Sequence, residues 1–520
     1  MPKSKSTPLS NVDAAWLGME DPTNLMMVSG VLIFDEALDF ERLKATVKYR
    51  LLNYNRFRQR IVTGRGPLAK PRWVDDPIFD LSAHLHRIAL PEPGDGAVLQ
   101  ETISDLVSTP LDFSKPLWQF HLLENFNGGS VLVARLHHAI ADGIALMHVL
   151  LSLADEDPDA PWPSPDDAKP RRRRGGRLFT MVRSAASAAG KTFRVTEKLI
   201  HEGMSAWENP EHVKKLLAQS GNVAASLGRL LLRPPDPKTA FKGKLGVAKR
   251  AIWSDAIALS DVKAIGKVTG GTVNDVLLTA MTGALRRYLI GRGQVVDNLN
   301  FRAAVPVNLR PISKAYKLGN QFGLVFLSLP VGIADQLERL FELKQRMDAL
   351  KDSAEPIVVF GALGAVGKTP DEIQEIIVNL LATKSTAVMT NVPGPRQQLY
   401  FAGSPIQDLM FWVPQSGRLG LGVSIISYNG KVRLGVITDI GLVPDPDAIA
   451  EAFHTEFDQM MDLVRVAEAL EGQETEIPPS PEPEPIPNRC QATTKAGNQC
   501  KNKALPASDF CRVHQPKEDD

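Results

Sequence analysis

At 520 residues, 43% of them apolar, the chain exceeds what a single hydrophobic core organises and has material for two. Lys and Arg total 60 against 59 Asp and Glu, so no global field attracts nucleic acid, and any basic partner surface has to be local. Three cysteines exclude a disulfide framework and point to the cytoplasm.

The N-terminal stretch MPKSKSTPLSNVDAAWLG has two lysines but no apolar core of secretory length, so no signal peptide is read. The longest apolar runs, such as GLVFLSLPVGIA from Gly323 to Ala334, fall short of the roughly 18 residues a spanning helix needs, and Pro330 interrupts that one. The chain is expected to be cytoplasmic, peripheral at most to the inner membrane face or to lipid inclusions.

Met26 to Asp35 reads as a strand. Asp39 to Arg60 reads as a helix because Phe40, Leu43, Val47 and Leu51 recur on one face. Leu117 to Phe126 and Ser130 to Leu136 read as strands joined by an Asn-Gly-Gly turn that suits a hairpin. A helix from about Ile144, carrying Leu146, Val149, Leu150 and Leu153, completes an α/β unit over residues 1–154.

Residues 155–247 read as a linker with crossover helices. The linker is proline-rich, runs from acidic to basic, and includes Arg171 to Arg174; the helical stretch that follows is interspersed with basic residues and is a candidate lipid-surface contact. A second α/β unit, 248–470, has a helix from Val273 to Leu289 and strands at 302–307, 323–329, 385–391, 419–428 and 431–440. Residues 471–487 form a Pro/Glu linker too poor in apolar residues to fold. The tail, 488–520, holds every cysteine in the chain.

The stretch RLHHAIADGI, Arg135 to Ile144, is the candidate for chemistry, the alternative being a histidine pair that merely sits in a core or on a surface. Side chains alternate along a strand, so His137 and His138 do not share one cavity: one imidazole acts and the other packs or supports it. A neutral imidazole near pH 7 suits general-base removal of a proton from a hydroxyl or thiol. Asp142 is expected to pair with a cation and fix the loop, and Gly143 to supply backbone angles that other residues avoid. Adjacent histidines on a strand diverge, which argues against a metal there.

HHAIADG resembles the HHxxxDG motif of the CoA-dependent acyltransferase superfamily, which includes chloramphenicol acetyltransferase and the condensation domains of peptide synthetases. With Pro116-Leu117-Trp118, Asn274-Asp275 and Asn391-Val-Pro-Gly-Pro395 in order, residues 8 to 470 are similar to the bacterial wax ester synthase/acyl-CoA:diacylglycerol acyltransferase family.

The resemblance implies two chloramphenicol-acetyltransferase-like α/β domains of mixed sheets and flanking helices, with an active-site tunnel between them. It implies His138 as the base that deprotonates a fatty alcohol or diacylglycerol for attack on a fatty acyl-CoA, with no catalytic cofactor. A carrier-protein-dependent condensation enzyme and an idle lipid-surface protein are the alternatives.

Asn274, in the first turn of a helix, is a candidate donor to the developing oxyanion. Thr272 to Asp275 fits a capping box, which makes Asp275 a helix-start residue. Trp118 reads as core or as substrate wall, and NVPGP as a rigid turn. Related condensation domains pair the motif aspartate with an early arginine, which makes Arg58 a candidate partner of Asp142.

In the tail, Cys490, Cys500, Cys511 and His514 are spaced C-x9-C-x10-C-x2-H. These are ligand types of closed structural zinc sites, and so short a segment needs such a staple. A protein partner is expected for this module rather than nucleic acid.

Overall fold

The computed structural model describes residues 6–64, 69–168, 233–310, 318–351, 355–366, 382–415, 419–474 and 488–516, with Ser353 and Asn379. It divides at residue 464 into two compact units. The Arg171 to Arg174 cluster and the basic helical stretch after it lie outside the described residues.

In the first part of the larger unit the elements are β1 (Thr7–Pro8), α1 (Asn11–Gly18), β2 (Met27–Phe34), α2 (Phe40–Tyr49), β3 (Gln59–Val62) and β4 (Arg72–Asp75). They continue with β5 (Leu85–Ala89), α3 (Gly96–Ser108), β6 (Trp118–Phe126), β7 (Gly129–His137) and α4 (Gly143–Leu153). The second part has β8 (Lys249–Trp253), β9 (Ile257–Ala258), α5 (Leu259–Thr269), α6 (Val273–Gly291), β10 (Phe301–Asn308), β11 (Phe322–Leu329), α7 (Gln336–Lys351) and α8 (Glu355–Val366). There follow β12 (Ala387–Pro393), β13 (Tyr400–Phe401), β14 (Ser404–Pro405), β15 (Asp408–Trp412), β16 (Leu421–Tyr428), β17 (Lys431–Asp439) and α9 (Asp447–Glu474).

The β6–β7 hairpin turns on Asn127 and Gly128, both at positive φ (47° and 85°), the conformation that matches the twist of the flanking strands. β7, GSVLVARLH, is buried along its whole length, as a central strand covered on both faces should be. It lies in a sheet ordered β15-β2-β7-β6-β5, in which only β5 and β6 run parallel. α4 follows, burying Leu146, Val149 and Leu153 in the same core; each such side chain stabilises the fold by about 1.5–3 kcal/mol.

The helix expected over Asp39 to Arg60 is shorter. α2 ends at Tyr49, where the Asn53 amide donates to the Tyr49 carbonyl at 2.6 Å, and two 3-10 turns lead into β3. Leu51 keeps its place in the core although it has left the helix.

The second sheet runs β11-β10-β12-β16-β17-β8, with parallel pairs β10/β12 and β12/β16. β15 arises late in the chain yet pairs with β2, from Asp408 opposite Ile33 to Trp412 opposite Ser29. Gly30 permits the approach, since a Cβ there would lie 3.3 Å from the Met410 carbonyl oxygen. Trp412 in turn donates its indole N–H to Ile252 of β8 at 3.0 Å, tying the exchanged strand to the second sheet.

Besides the two large cores, a smaller apolar cluster gathers Val12, Trp16, Met26, Ala304, Phe322, Phe326 and Val359 from both parts of the chain. No helix among the described residues is long and apolar enough to cross a membrane. In the smaller unit α9 runs on to Glu474, so the first residues of the expected Pro/Glu linker are helical.

Candidate active site and metal cluster

The ladder of β7 stops at the histidine pair. His137 is the last residue paired with β2, opposite Met27, and its N–H donates to the Leu117 carbonyl at 3.0 Å. The His138 N–H donates to the Met26 carbonyl at 2.7 Å, and Ile140 turns back onto the His137 carbonyl at 3.0 Å.

His137 Nδ1 accepts from the Ala139 N–H at 3.0 Å, which places the proton of the neutral ring on Nε2. Nε2 lies 3.3 Å from the Glu20 carboxylate, and Phe113 packs edge-on against the ring. Glu20 also accepts from the Met26 N–H at 2.5 Å.

His138 lies in a different environment. Its ring stacks on the Trp16 indole, with centroids 4.2 Å apart and an interplanar angle of 26°, and touches Phe322 at 5.5 Å. Burial, then the neighbouring His137, push its pKa down to about 3, against the Asn320 side chain and its own carbonyl, which favour the charged ring. The imidazole is therefore neutral throughout the physiological range.

Asp142 is the N-cap of α4, accepting from the Ala145 N–H at 2.9 Å. Its second oxygen accepts from Arg310 Nη2 at 2.8 Å, a pair buried on both sides, and from the Gln321 N–H at 2.9 Å. Burial pushes this carboxyl's pKa up, against Arg310 and the two backbone N–H groups, which favour the ionised form. Its cation is thus Arg310, and not Arg58, whose guanidinium is exposed and serves Leu52 and Asn55. The motif aspartate is reached from the second part of the chain, 168 residues away.

A second clamp runs parallel to it. The Asn320 amide donates to the His138 carbonyl at 2.9 Å and to Asp13 Oδ1 at 2.8 Å, and the Asn320 N–H reaches the same oxygen at 3.0 Å. The other Asp13 oxygen takes Arg56 at 3.1 Å, and Arg56 also donates to the Ile140 carbonyl. The loop that carries His138 is pinned on both flanks by Arg310, Asn320 and Gln321.

Gly143 departs from expectation. It is the first residue of α4 and is not among the glycines at positive φ; a Cβ there would meet nothing within 4 Å. Neither backbone conformation nor a close approach requires glycine at this helix start.

Asn274 is half-buried in the first turn of α6, and its Oδ1 accepts from the Asn391 amide at 3.2 Å. Among the described residues no hydrogen bond joins Asn274 to either histidine. Asp275 closes the capping box, accepting from the Thr272 N–H at 2.8 Å. In NVPGP the first three residues are strand, in parallel register with Ile425 to Ser427. The turn begins at Gly394, where a Cβ would lie 2.3 Å from the Ser427 carbonyl oxygen. Trp118 is fully buried in the first core, stacked on His84, with its indole N–H on the Phe57 carbonyl at 2.9 Å.

In the smaller unit the ligand atoms of Cys490, Cys500, Cys511 and His514 all lie within 4.8 Å of one another. Cys500 Sγ is 3.9 Å from Cys511 Sγ, and His514 Nδ1 is 3.4 Å from Cys511 Sγ and 3.7 Å from Cys490 Sγ. Tetrahedral bonds of about 2.3 Å to sulfur and 2.0–2.1 Å to nitrogen give edges of about 3.8 and 3.5 Å. The donor set could hold a metal ion in that geometry.

The family model described as the wax ester synthase/diacylglycerol acyltransferase catalytic domain matches residues 9–277, and that of the WS/DGAT C-terminal domain matches residues 318–461. The chain belongs to this family. Among the curated members, a Mycobacterium tuberculosis protein named as a diacylglycerol O-acyltransferase, tgs1, is 30% identical over 85% of this chain and 93% of its own. Another so named from the same species is 29% identical over 86% of this chain and 88% of its own.

Among solved structures, the wax ester synthase/diacylglycerol acyltransferase of Marinobacter aquaeolei VT8 has the same fold, at a TM-score of 0.62 and 24% identity over 88% of this chain and 99% of that one. The starter condensation domain of rhizomide synthetase RzmA, solved with C8-CoA and Leu-SNAC, matches at a TM-score of 0.54 and 13% identity, covering 88% of this chain and 94% of that one. The two-part α/β architecture is that of the condensation and chloramphenicol acetyltransferase folds, as expected. As a WS/DGAT member the chain is an acyl-CoA-dependent acyltransferase, and the condensation-type alternative is less favoured.

The sequence reading did not single out Glu20, Arg310, Asn320, Asp13, Arg56 or Trp16. One signal was available for Asp13: α1, NVDAAWLG, places a carboxylate among apolar residues, and a buried carboxylate requires partners.

Proposed function

We propose that this acyltransferase moves a fatty acyl group from acyl-CoA to the hydroxyl of a long-chain alcohol or a diacylglycerol, with His138 as general base. The observation that carries the reading is His138 itself: a buried, neutral imidazole at the end of a central strand, its backbone pinned by Met26 and Asn320 and its ring packed against Trp16.

A ring this weakly basic takes the hydroxyl proton in concert with attack on the thioester, when the developing alkoxide supplies the driving force. His137, held by Ala139 and Glu20, supports the strand end, and the Asp142–Arg310 pair fixes the turn after it. Gly143 leaves room in front of α4 for substrate. Asn274 is retained as a candidate donor to the thioester oxygen, and Trp118 acts on the substrate wall through the packing of the first core. Acyl-CoA enters as a substrate, and these steps use side chains alone.

The test supplies the purified protein with palmitoyl-CoA and, in turn, hexadecanol, dioleoylglycerol or no acceptor, and follows thiol release. Release that requires an alcohol, with the matching ester as product, is expected. Release equal in all three mixtures would mean hydrolysis and would refute acyl transfer to a hydroxyl.

For the tail we infer a structural zinc ion on Cys490, Cys500, Cys511 and His514. Bound there, the ion would hold together a segment with little core besides Ala492 and Phe510, at an apparent binding free energy of about 10–16 kcal/mol. Native mass spectrometry of the full chain is expected to show one zinc ion, lost in Cys500→Ser together with protease resistance of the tail. Metal-free wild type with a protected tail would count against it.

A further inference from the structure

Around His138 the buried polar atoms without a hydrogen-bond partner among the described residues are Trp16 Nε1, His137 Nε2, His138 Nδ1, Arg310 Nη1 and Asn320 Oδ1; of these, His137 Nε2 lies 3.3 Å from Glu20, and the His138 ring lies against the Asn320 side chain and its own carbonyl. Buried polar atoms are nearly always paired, so a cluster of unpaired ones around a catalytic base marks what a bound molecule satisfies. Of these, Asn320 Oδ1 only accepts, and Arg310 is a cation already turned to the Asp142 carboxylate and the Gly319 carbonyl through its other terminal nitrogen, Nη2. Trp16 differs: its N–H is a neutral donor inside an apolar cluster, on a ring stacked directly upon the His138 imidazole.

Direct transfer needs such a group. As the acceptor oxygen bonds to the thioester carbon, its proton passes to His138 and the electrons of the C=O double bond move onto the carbonyl oxygen. When that double bond reforms, the C–S bond breaks, and sulfur leaves with the electron pair and takes the proton from His138 as the CoA thiol. A donor fixed beforehand in a dry site stabilises the charged oxygen without reorganising. Asn274, the donor expected from sequence, accepts from Asn391 through its oxygen, which leaves its amide nitrogen a candidate beside any second donor.

We propose that the Trp16 indole N–H donates to the thioester carbonyl oxygen during acyl transfer, making Trp16 a catalytic residue as well as the surface against which His138 is oriented. This rests on the acyl-transfer reading above. The indole is fixed in place from two sides, since Phe322 lies 5.6 Å from its ring and α1, which carries it, is anchored through Asp13 to Asn320 and Arg56. One element thus positions both a donor and, through Asn320, the base.

The decisive experiment removes the N–H and leaves the ring. In the full chain, the Trp16 indole is replaced by its sulfur isostere, benzothiophene, and separately by Trp16→Phe and Trp16→Leu; turnover of palmitoyl-CoA with hexadecanol is measured against pH. The isostere is expected to lose about 10²-fold in kcat, with KM for palmitoyl-CoA and the pH profile unchanged. Trp16→Phe should follow it, and Trp16→Leu, which also frees the imidazole, should in addition change the pH profile.

An isostere that turns over within about twofold of wild type, beside an impaired Trp16→Leu, would assign Trp16 to packing alone and overturn the donor role. A loss that appears in KM rather than kcat would overturn it too. A silent wild type would instead remove the acyl-transfer reading and this proposal with it.

Discussion

His138→Ala is expected to remain folded and to lose acceptor-dependent thiol release by about 10²–10⁴-fold, the range for removing a general base. The variant deletes a ring that contributes packing against Trp16 and Phe322 but makes no ladder contact, since the strand-end hydrogen bonds use the backbone N–H and carbonyl of residue 138. The pH profile adds a second check. With the imidazole pKa pushed down to about 3 by burial, His138 stays neutral as pH falls from 7 to 5, so kcat should show no acid limb near 6.5. Such a limb, absent from His138→Ala, would mean that the working base is solvated. Near-normal turnover by the variant would remove the assigned role altogether.

The sign of the stability effect follows from the same burial. A histidine whose pKa is lower in the folded state contributes stability that is complete above its unfolded pKa of about 6.5 and is lost as pH falls toward the folded value. His121, also pushed down to about 3 by burial, adds to that loss. Acidification should therefore weaken the fold before it titrates His138 in the folded protein.

What could be read from the sequence was local. HHAIADG places strand end, turn and helix start within one short segment, and the apolar periods on either side fix β7 and α4. The partner of Asp142 could not be read in that way. Arginines crowd residues 50–60, and proximity in sequence favoured Arg58, whereas the carboxylate is reached by Arg310 through the packing of β10 and β11 against the motif loop. β15 was missed for a related reason: DLMFW is too short to declare a period, and only its pairing with β2 makes it a strand. Gly143 was assigned to backbone geometry because a lone glycine in a sequence does not declare its φ. Trp16 became visible only once His138 was stacked on it.

Arg310→Met is expected to be the most destabilising single change near the motif. The guanidinium offsets the burial of the Asp142 carboxylate, and its loss would leave that charge uncompensated at a cost of about 3–5 kcal/mol, because removing one partner of a buried pair strands the other. The deficit should depend on pH in a definite direction. Burial already holds the Asp142 pKa above its ordinary value, and without Arg310 it lies higher still, so the folded variant gains its proton at a higher pH than wild type does and the gap between them narrows as pH falls. Asp142→Asn combined with Arg310→Met removes the stranded charge and should recover much of the stability, yet it loses the two-armed hold on the turn that aims His138. Urea unfolding of the two variants at neutral and mildly acidic pH, alongside turnover, separates the effects. A double variant that is stable but slow would place the pair in the positioning of the catalytic loop; one both stable and fast would leave it a structural clasp between the two parts of the chain.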